Sequence, residues 1–212
     1  MESFFRDLKF IGINQLKEWV EIAIDWETGN KYELVDENGE KIGFASERKT
    51  GIFGHLVRNF LKSHRPMHLD VWDKNKILLL SGRRPFYFFF SDIEVSDSQG
   101  RKIGDVKTRF GILKRKYDLL DSYGNVFASI ESFRWKIWSF NILDKLGNEV
   151  GKLGKKWGGL LKEVFTDSDS FGLDLSKSDW SSEQKAVIFF AALSIDLDFF
   201  EENSSSAFSL FD

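Results

Sequence analysis

The segment Ser181-Ser182-Glu183-Gln184-Lys185-Ala186-Val187-Ile188-Phe189-Phe190-Ala191-Ala192-Leu193-Ser194-Ile195 decides the fold. Its opening residues form a capping box, with Ser181 as N-cap and Gln184 reaching back to the Ser181 amide. From Ala186 onward the run is apolar on all sides of a helix, and such a helix must be enclosed by protein or by lipid. Length separates the two. Positions 186–200 span about 22 Å at 1.5 Å per residue, short of a hydrocarbon core of about 30 Å. Asp196 and Asp198 stand about 200° apart on a helix and cannot share one protected face. Each costs roughly 2.5–3.5 kcal/mol at a bilayer centre. The expected sheath is therefore the rest of the chain, with no transmembrane span and both aspartates near the rim of the sheath. Asp196, Asp198, Glu201 and Glu202 followed by Asn203 put the expected helix at about 182–202. A single domain over 1–203 and a flexible tail at 204–212 complete this division.

Outward from the helix, one turn recurs: Asp36-Glu37-Asn38-Gly39, Asp97-Ser98-Gln99-Gly100, Asp121-Ser122-Tyr123-Gly124 and Asp144-Lys145-Leu146-Gly147. Asp at the first position caps the backbone, and Gly at the fourth supplies the left-handed conformation that closes a hairpin with a bulge. Asp73-Lys74-Asn75-Lys76 fits as a degenerate fifth copy. From Asp73 to Asp97, Asp121 and Asp144 the spacings are 24, 24 and 23 residues, two strands and two turns per period. That regularity predicts an up-and-down antiparallel meander wrapped around the helix. Phe86-Tyr87-Phe88-Phe89-Phe90 is read as a strand apolar on both faces, and Trp135 to Leu143 as another strand. If Phe86, Phe88 and Phe90 of the first point inward, Tyr87 and Phe89 point out. Tyr87 and Phe89 are then either covered by a neighbouring loop or form an exposed strip for a membrane surface or partner.

Composition narrows the function classes. The chain has no cysteine, which removes disulfides, thiolate metal sites, cysteine nucleophiles and S-palmitoyl anchors. No basic region followed by an apolar run opens the sequence, so a cytoplasmic location is expected. Net charge is −3, but residues 163–212 carry 11 acids and 2 bases, a net of −9, which leaves +6 on residues 1–162. Between Arg101 and Lys116 seven bases face one acid, a local +6. The overall acidic balance makes nucleic acid an unlikely partner. No phosphate loop, nucleophile elbow or HExxH pattern appears, so an enzyme is not expected.

The order of features resembles the phospholipid scramblase family, itself similar in fold to the tubby and LURP-one proteins. The residues that carry the likeness are Asn30-Lys31-Tyr32-Glu33-Leu34, the Arg65-Pro66 and Arg84-Pro85 pairs, and Lys155-Lys156-Trp157-Gly158-Gly159-Leu160. They continue with Phe165 to Gly172, Lys185-Ala186-Val187, Ile195-Asp196 and Phe199-Phe200-Glu201. The resemblance covers about residues 8–202. It implies an all-β, tubby-like fold: a closed antiparallel barrel of about twelve strands enclosing one hydrophobic C-terminal helix. It also implies a calcium-responsive protein linked to transbilayer lipid movement. The cysteine-rich palmitoylation stretch and proline-rich extension of the membrane-attached members are missing, and Asp198 stands at a helix position that is apolar in the family.

The family's calcium loop falls here from Asp167 to Asp179, with Asp167, Asp169, Asp174 and Asp179 as candidate carboxylates. Counted as an EF-hand, position 5 is Phe171 and position 12 is Ser178, so any such site belongs to the weak class, roughly 10⁻⁴–10⁻³ M. Calcium is the one cofactor that this loop implies. Arg109, Lys114, Arg115 and Lys116 are the candidate headgroup ligands, each worth about 1 kcal/mol near a charged leaflet. Tubby-like proteins use basic barrel residues in this way. Two functions follow. One is a peripheral protein of the inner membrane face that binds anionic phospholipid or phosphoinositide, with Tyr87 and Phe89 as docking aromatics. The other is a soluble protein-interaction or ligand-binding module on the same scaffold, without scrambling activity.

Overall fold

The recurring aspartate turns build a barrel in the computed structural model, which describes residues 1–16, 28–48, 66–87, 90–135, 139–155 and 170–208. The strands are β1 (Phe10–Gln15), β2 (Thr28–Val35), β3 (Lys41–Arg48), β4 (Met67–Asp73), β5 (Leu78–Arg84), β6 (Ile93–Asp97), β7 (Lys102–Arg109), β8 (Lys114–Asp121), β9 (Val126–Phe133), β10 (Ser139–Asp144), β11 (Glu149–Gly154) and β12 (Ser170–Asp174). A short helix α1 (Glu2–Phe5) precedes them and a long helix α2 (Ser182–Phe208) follows. Each strand pairs antiparallel with its neighbours in the chain. β1 closes on β12 from Phe10↔Asp174 to Asn14↔Ser170, giving a closed twelve-stranded meander without a free edge. This is the all-β, helix-enclosing architecture expected from the sequence.

The five turns share one hydrogen-bond scheme. Oδ1 of Asp36, Asp73, Asp97, Asp121 and Asp144 accepts from the amides two and four residues on, at 2.8–3.0 Å. Gly39, Gly100, Gly124 and Gly147 have φ of 78–83°, and Lys76 takes the same left-handed place at φ 65°. Each hairpin carries a register shift just before its turn, as at Val95/Ser96 and Leu119/Leu120. The side chain and the bulge together satisfy two or more of each turn's amides locally.

Inside the barrel, Ala186 to Leu193 of α2 are fully buried. Its N-terminus shows the reciprocal cap, Gln184 N to Ser181 Oγ at 3.2 Å and Ser181 N to Gln184 Oε1 at 2.9 Å. Close approach is set by glycines. A Cβ on Gly104 would lie 2.6 Å from Val187 Cγ2, and one on Gly82 would overlap the Phe190 ring. The N-terminal segment stoppers the end where α2 enters. Phe5 is fully buried against Phe189, and Lys185 Nζ donates to the carbonyls of Arg6 and Leu8 at 2.7 and 2.8 Å. Burial pushes the Lys185 pKa down, and these two carbonyls hold the ammonium in place.

Three expectations are corrected. The α2 backbone does not stop at Asn203 but continues to Phe208. Trp135 is not part of a strand; it sits in the turn after β9, and β10 begins at Ser139. Phe86 and Phe90 do not point into the core: β5 ends at Arg84, and both rings are exposed beyond it.

Candidate functional site

Because the strands alternate, all five aspartate turns, the Asp174 end of β12 and the start of α2 share one rim. The β5–β6, β7–β8 and β9–β10 connections share the other, called here the far rim. The sequence run from Arg101 to Lys116 is therefore not one patch. Arg101 and Lys102 lie at the aspartate rim, where Arg101 pairs with Asp97 at 2.7 Å and Lys102 with Asp105 at 2.8 Å. Arg109, Lys114 and Lys116 lie at the far-rim end of β7 and β8, with Arg109 directly opposite Lys116.

On β8 the alternation turns Lys114 and Lys116 outward, whereas Arg115 is half-buried in register with the inward Tyr117. The outward cations have acidic neighbours: Arg109 Nε lies 2.6 Å from Asp118, and Lys114 and Lys116 lie 2.9 and 2.6 Å from Glu131. Burial pushes Glu131 up, but hydrogen bonds from Lys116 and Lys114 outweigh it and hold the carboxyl below its usual range. The bond to Glu131 in turn raises Lys116. Such surface pairs are worth roughly 0–1 kcal/mol, so the cations remain available to other anions.

Beyond these cations two connections meet. The β7–β8 connection is Phe110-Gly111-Ile112-Leu113, and Arg134 from the β9–β10 connection clips it. Arg134 donates through Nε and Nη2 to the Gly111 carbonyl at 3.2 and 2.9 Å, and its amide donates to the Leu113 carbonyl at 3.0 Å. Phe133 and Trp135 stack at 4.7 Å with 18° between planes, and Lys114 Nζ sits 5.1 Å from the Phe133 ring centre. Phe110, Ile112, Leu113 and Trp135 are 76, 77, 63 and 65 % exposed. Sequence reasoning missed this cluster, although Phe110–Leu113 lies midway between the Asp97 and Asp121 turns, where a far-rim turn must fall.

The other candidates are distributed elsewhere. Tyr87 is half-buried with its ring 5.3 Å from the Arg84 guanidinium carbon, and Phe89 lies outside the described residues. Asp167 and Asp169 also lie outside them. Asp174 Oδ1 accepts from the amide and hydroxyl of Ser176 at 2.9 and 2.7 Å, and Asp179 is exposed. Among the described residues no three acidic or histidine side chains converge as a metal site, so Asp174 and Asp179 do not form one by themselves. Asp196 lies near a rim, as expected, but is buried there. It packs by Phe140, Leu153 and Phe171 just below the far rim and accepts from the Tyr32 hydroxyl at 3.1 Å. Among the described residues no helix is long and apolar enough to cross a membrane.

Comparison with known proteins finds relatives that match most of the chain. The chain is 31% identical to phospholipid scramblase 2 of Bos taurus, over 89% of this chain and 67% of that protein. It is 26% identical to the altered inheritance rate of mitochondria protein 25 of Saccharomyces cerevisiae, over 88% and 69%. Across curated relatives it spans 57–77% of their length. Among solved structures, the X-ray structure of an Arabidopsis thaliana protein aligns over 93% of this chain and 94% of its own at 12% identity, with a TM-score of 0.49. The Scramblase family model matches residues 3–202, nearly the whole barrel and its enclosed helix, and the chain belongs to that family.

Proposed function

We propose that this chain is a peripheral phospholipid-binding protein that docks on the anionic inner face of a membrane, on the cytoplasmic side. The observation that carries the reading is the outward line of Arg109, Lys114 and Lys116 at the far rim, where three cations answer two carboxylates, Asp118 and Glu131. Their exposure leaves the ammonium groups able to exchange a carboxylate for a headgroup phosphate, and each contributes about 1 kcal/mol near a charged leaflet. Arg115 stands between them and supports the same field from inside the sheet. Calcium belongs to this proposal on sequence grounds alone, through the loop that begins at Asp167.

Co-sedimentation with phosphatidylserine-containing vesicles tests it. Binding is expected at low salt and is lost at high salt, and Lys114→Ala with Lys116→Ala weakens it roughly tenfold or more. Added calcium is expected to strengthen binding in the unaltered chain and not in Asp167→Asn. A chain that ignores anionic vesicles at low salt but retains a discrete protein partner is the soluble interaction module instead.

A further inference from the structure

We propose that Phe110, Ile112, Leu113 and Trp135 form a rigid two-loop wedge that enters the interfacial layer of an anionic phospholipid bilayer, so that the barrel meets the membrane through the β7–β8 side of its far rim. This deepens the peripheral-binding reading above and rests on it. The first ground is display. These four side chains are all more than 60 % exposed, yet they come from two connections that touch each other, so they form one apolar surface and not scattered residues.

The second ground is rigidity. Three hydrogen bonds from Arg134 fix the backbone of the β7–β8 connection, and the Phe133 stack fixes Trp135. A Cβ on Gly111 would overlap the Lys114 carbonyl, so the tight bend requires glycine. A wedge already ordered in the free protein gives up little entropy on insertion.

Charge complementarity selects the occupant. Arg109, Lys114 and Lys116 stand one step behind the apolar tips, at the height where headgroup phosphates lie when the tips reach the acyl boundary. Five turn aspartates stand at the opposite rim, and the carboxylates beside the tips, Asp118 and Glu131, are already paired with these cations. A protruding tip that carries Trp, Phe, Ile and Leu suits a deformable interface, in which tryptophan sits at the headgroup level.

The absence of cysteine from the sequence makes the test clean. Ile112→Cys and, on the aspartate rim, the 90 %-exposed Tyr123→Cys are each labelled with an environment-sensitive fluorophore and mixed with phosphatidylserine–phosphatidylcholine vesicles. The expected result is a blue-shifted, brighter signal at position 112, quenched by spin-labelled acyl chains, with no change at 123. A second variant, Phe110→Ser with Ile112→Ser, is expected to lower vesicle affinity roughly tenfold. If the chain pellets with vesicles while position 112 stays dark or 123 responds, the wedge is overturned and peripheral binding stands. An equal response on pure phosphatidylcholine overturns the charge argument, and with it the proposal. Failure to pellet at all overturns both readings.

Discussion

The two rims of this barrel solve the problem of reversing a strand in opposite ways. At the aspartate rim one scheme is used five times, a carboxylate accepting from two amides with a left-handed residue closing the turn. The carboxylate answers the amides two and four residues on and the Asp carbonyl answers the amide between them, so local chemistry explains the turn. At the far rim the described connections differ from one another, and two of them spend an arginine and a ring stack on holding apolar side chains in water. Local folding does not explain that arrangement. The difference teaches where to look for recognition: at the rim whose chemistry exceeds the needs of the turn.

The contrast presumes that both rims hang on the same enclosed helix, and Phe190→Ala tests this with the largest effect. Phe190 is fully buried, lies over the space left by Gly82, and meets Phe189 edge-on at 6.1 Å. Truncation leaves a cavity and is expected to cost about 3–5 kcal/mol in urea unfolding. A cost under about 1 kcal/mol would mean that the helix is not packed as described.

Next in size is Asp97→Ala at the aspartate rim. Its carboxylate accepts from the Gln99 and Arg101 amides at 2.9 Å and pairs with the Arg101 guanidinium, so removal is expected to cost about 1–2 kcal/mol. Burial alone would raise the Asp97 pKa, but the hydrogen bonds from Arg101 and Gln99 outweigh it and hold the carboxyl below its usual range. Asp121 and Asp144 shift the same way, each led by hydrogen bonds from the asparagine four residues on. A depressed folded pKa means stability that is present above the unfolded value and is lost as pH falls through the folded one. Thermal melts below about pH 4 should therefore lose stability, and Asp97→Asn should flatten that slope. Acid melts that are identical in the two proteins would contradict it.

These two sites also mark what was legible in the sequence. The aspartate turns were readable because their chemistry is local: Asp, then Gly three residues later, specifies the bond and the φ without reference to the rest of the chain. The enclosed helix was readable because Ser181 and Gln184 announce it and the run after Lys185 has no polar face. The far rim was not, because Phe110-Gly111-Ile112-Leu113 interrupts a basic run and carries no Asp-x-x-Gly turn signature. Only pairing shows that Arg134, more than twenty residues on, holds it. Phe86 and Phe90 were misread for the same reason. They lie midway between the Asp73 and Asp97 turns, where the chain has already left β5.

Smaller in effect is Lys76→Gly, which tests whether the fifth turn differs from the others only in its left-handed residue. A side chain at φ 65° costs roughly 1–2 kcal/mol, and glycine returns part of that gain through its looser unfolded chain. The expected outcome is stabilisation by about 0.5 kcal/mol in urea unfolding. Destabilisation would show that the Lys76 side chain makes a contact worth more than the backbone strain.

The smallest expected effect is the most telling for the comparison. Phe110→Ser with Ile112→Ser replaces two exposed side chains at the far rim and leaves the Arg134 bonds to the Gly111 and Leu113 backbone intact. Two side chains about three-quarters in water contribute little burial, so folding stability should change by no more than about 0.5 kcal/mol. Urea unfolding of this variant set beside Asp97→Ala separates the rims directly: one responds in stability, the other does not. A loss above about 1 kcal/mol in the far-rim variant would mean that those side chains brace the fold, and the distinction between a self-sufficient rim and an outward-looking one would collapse.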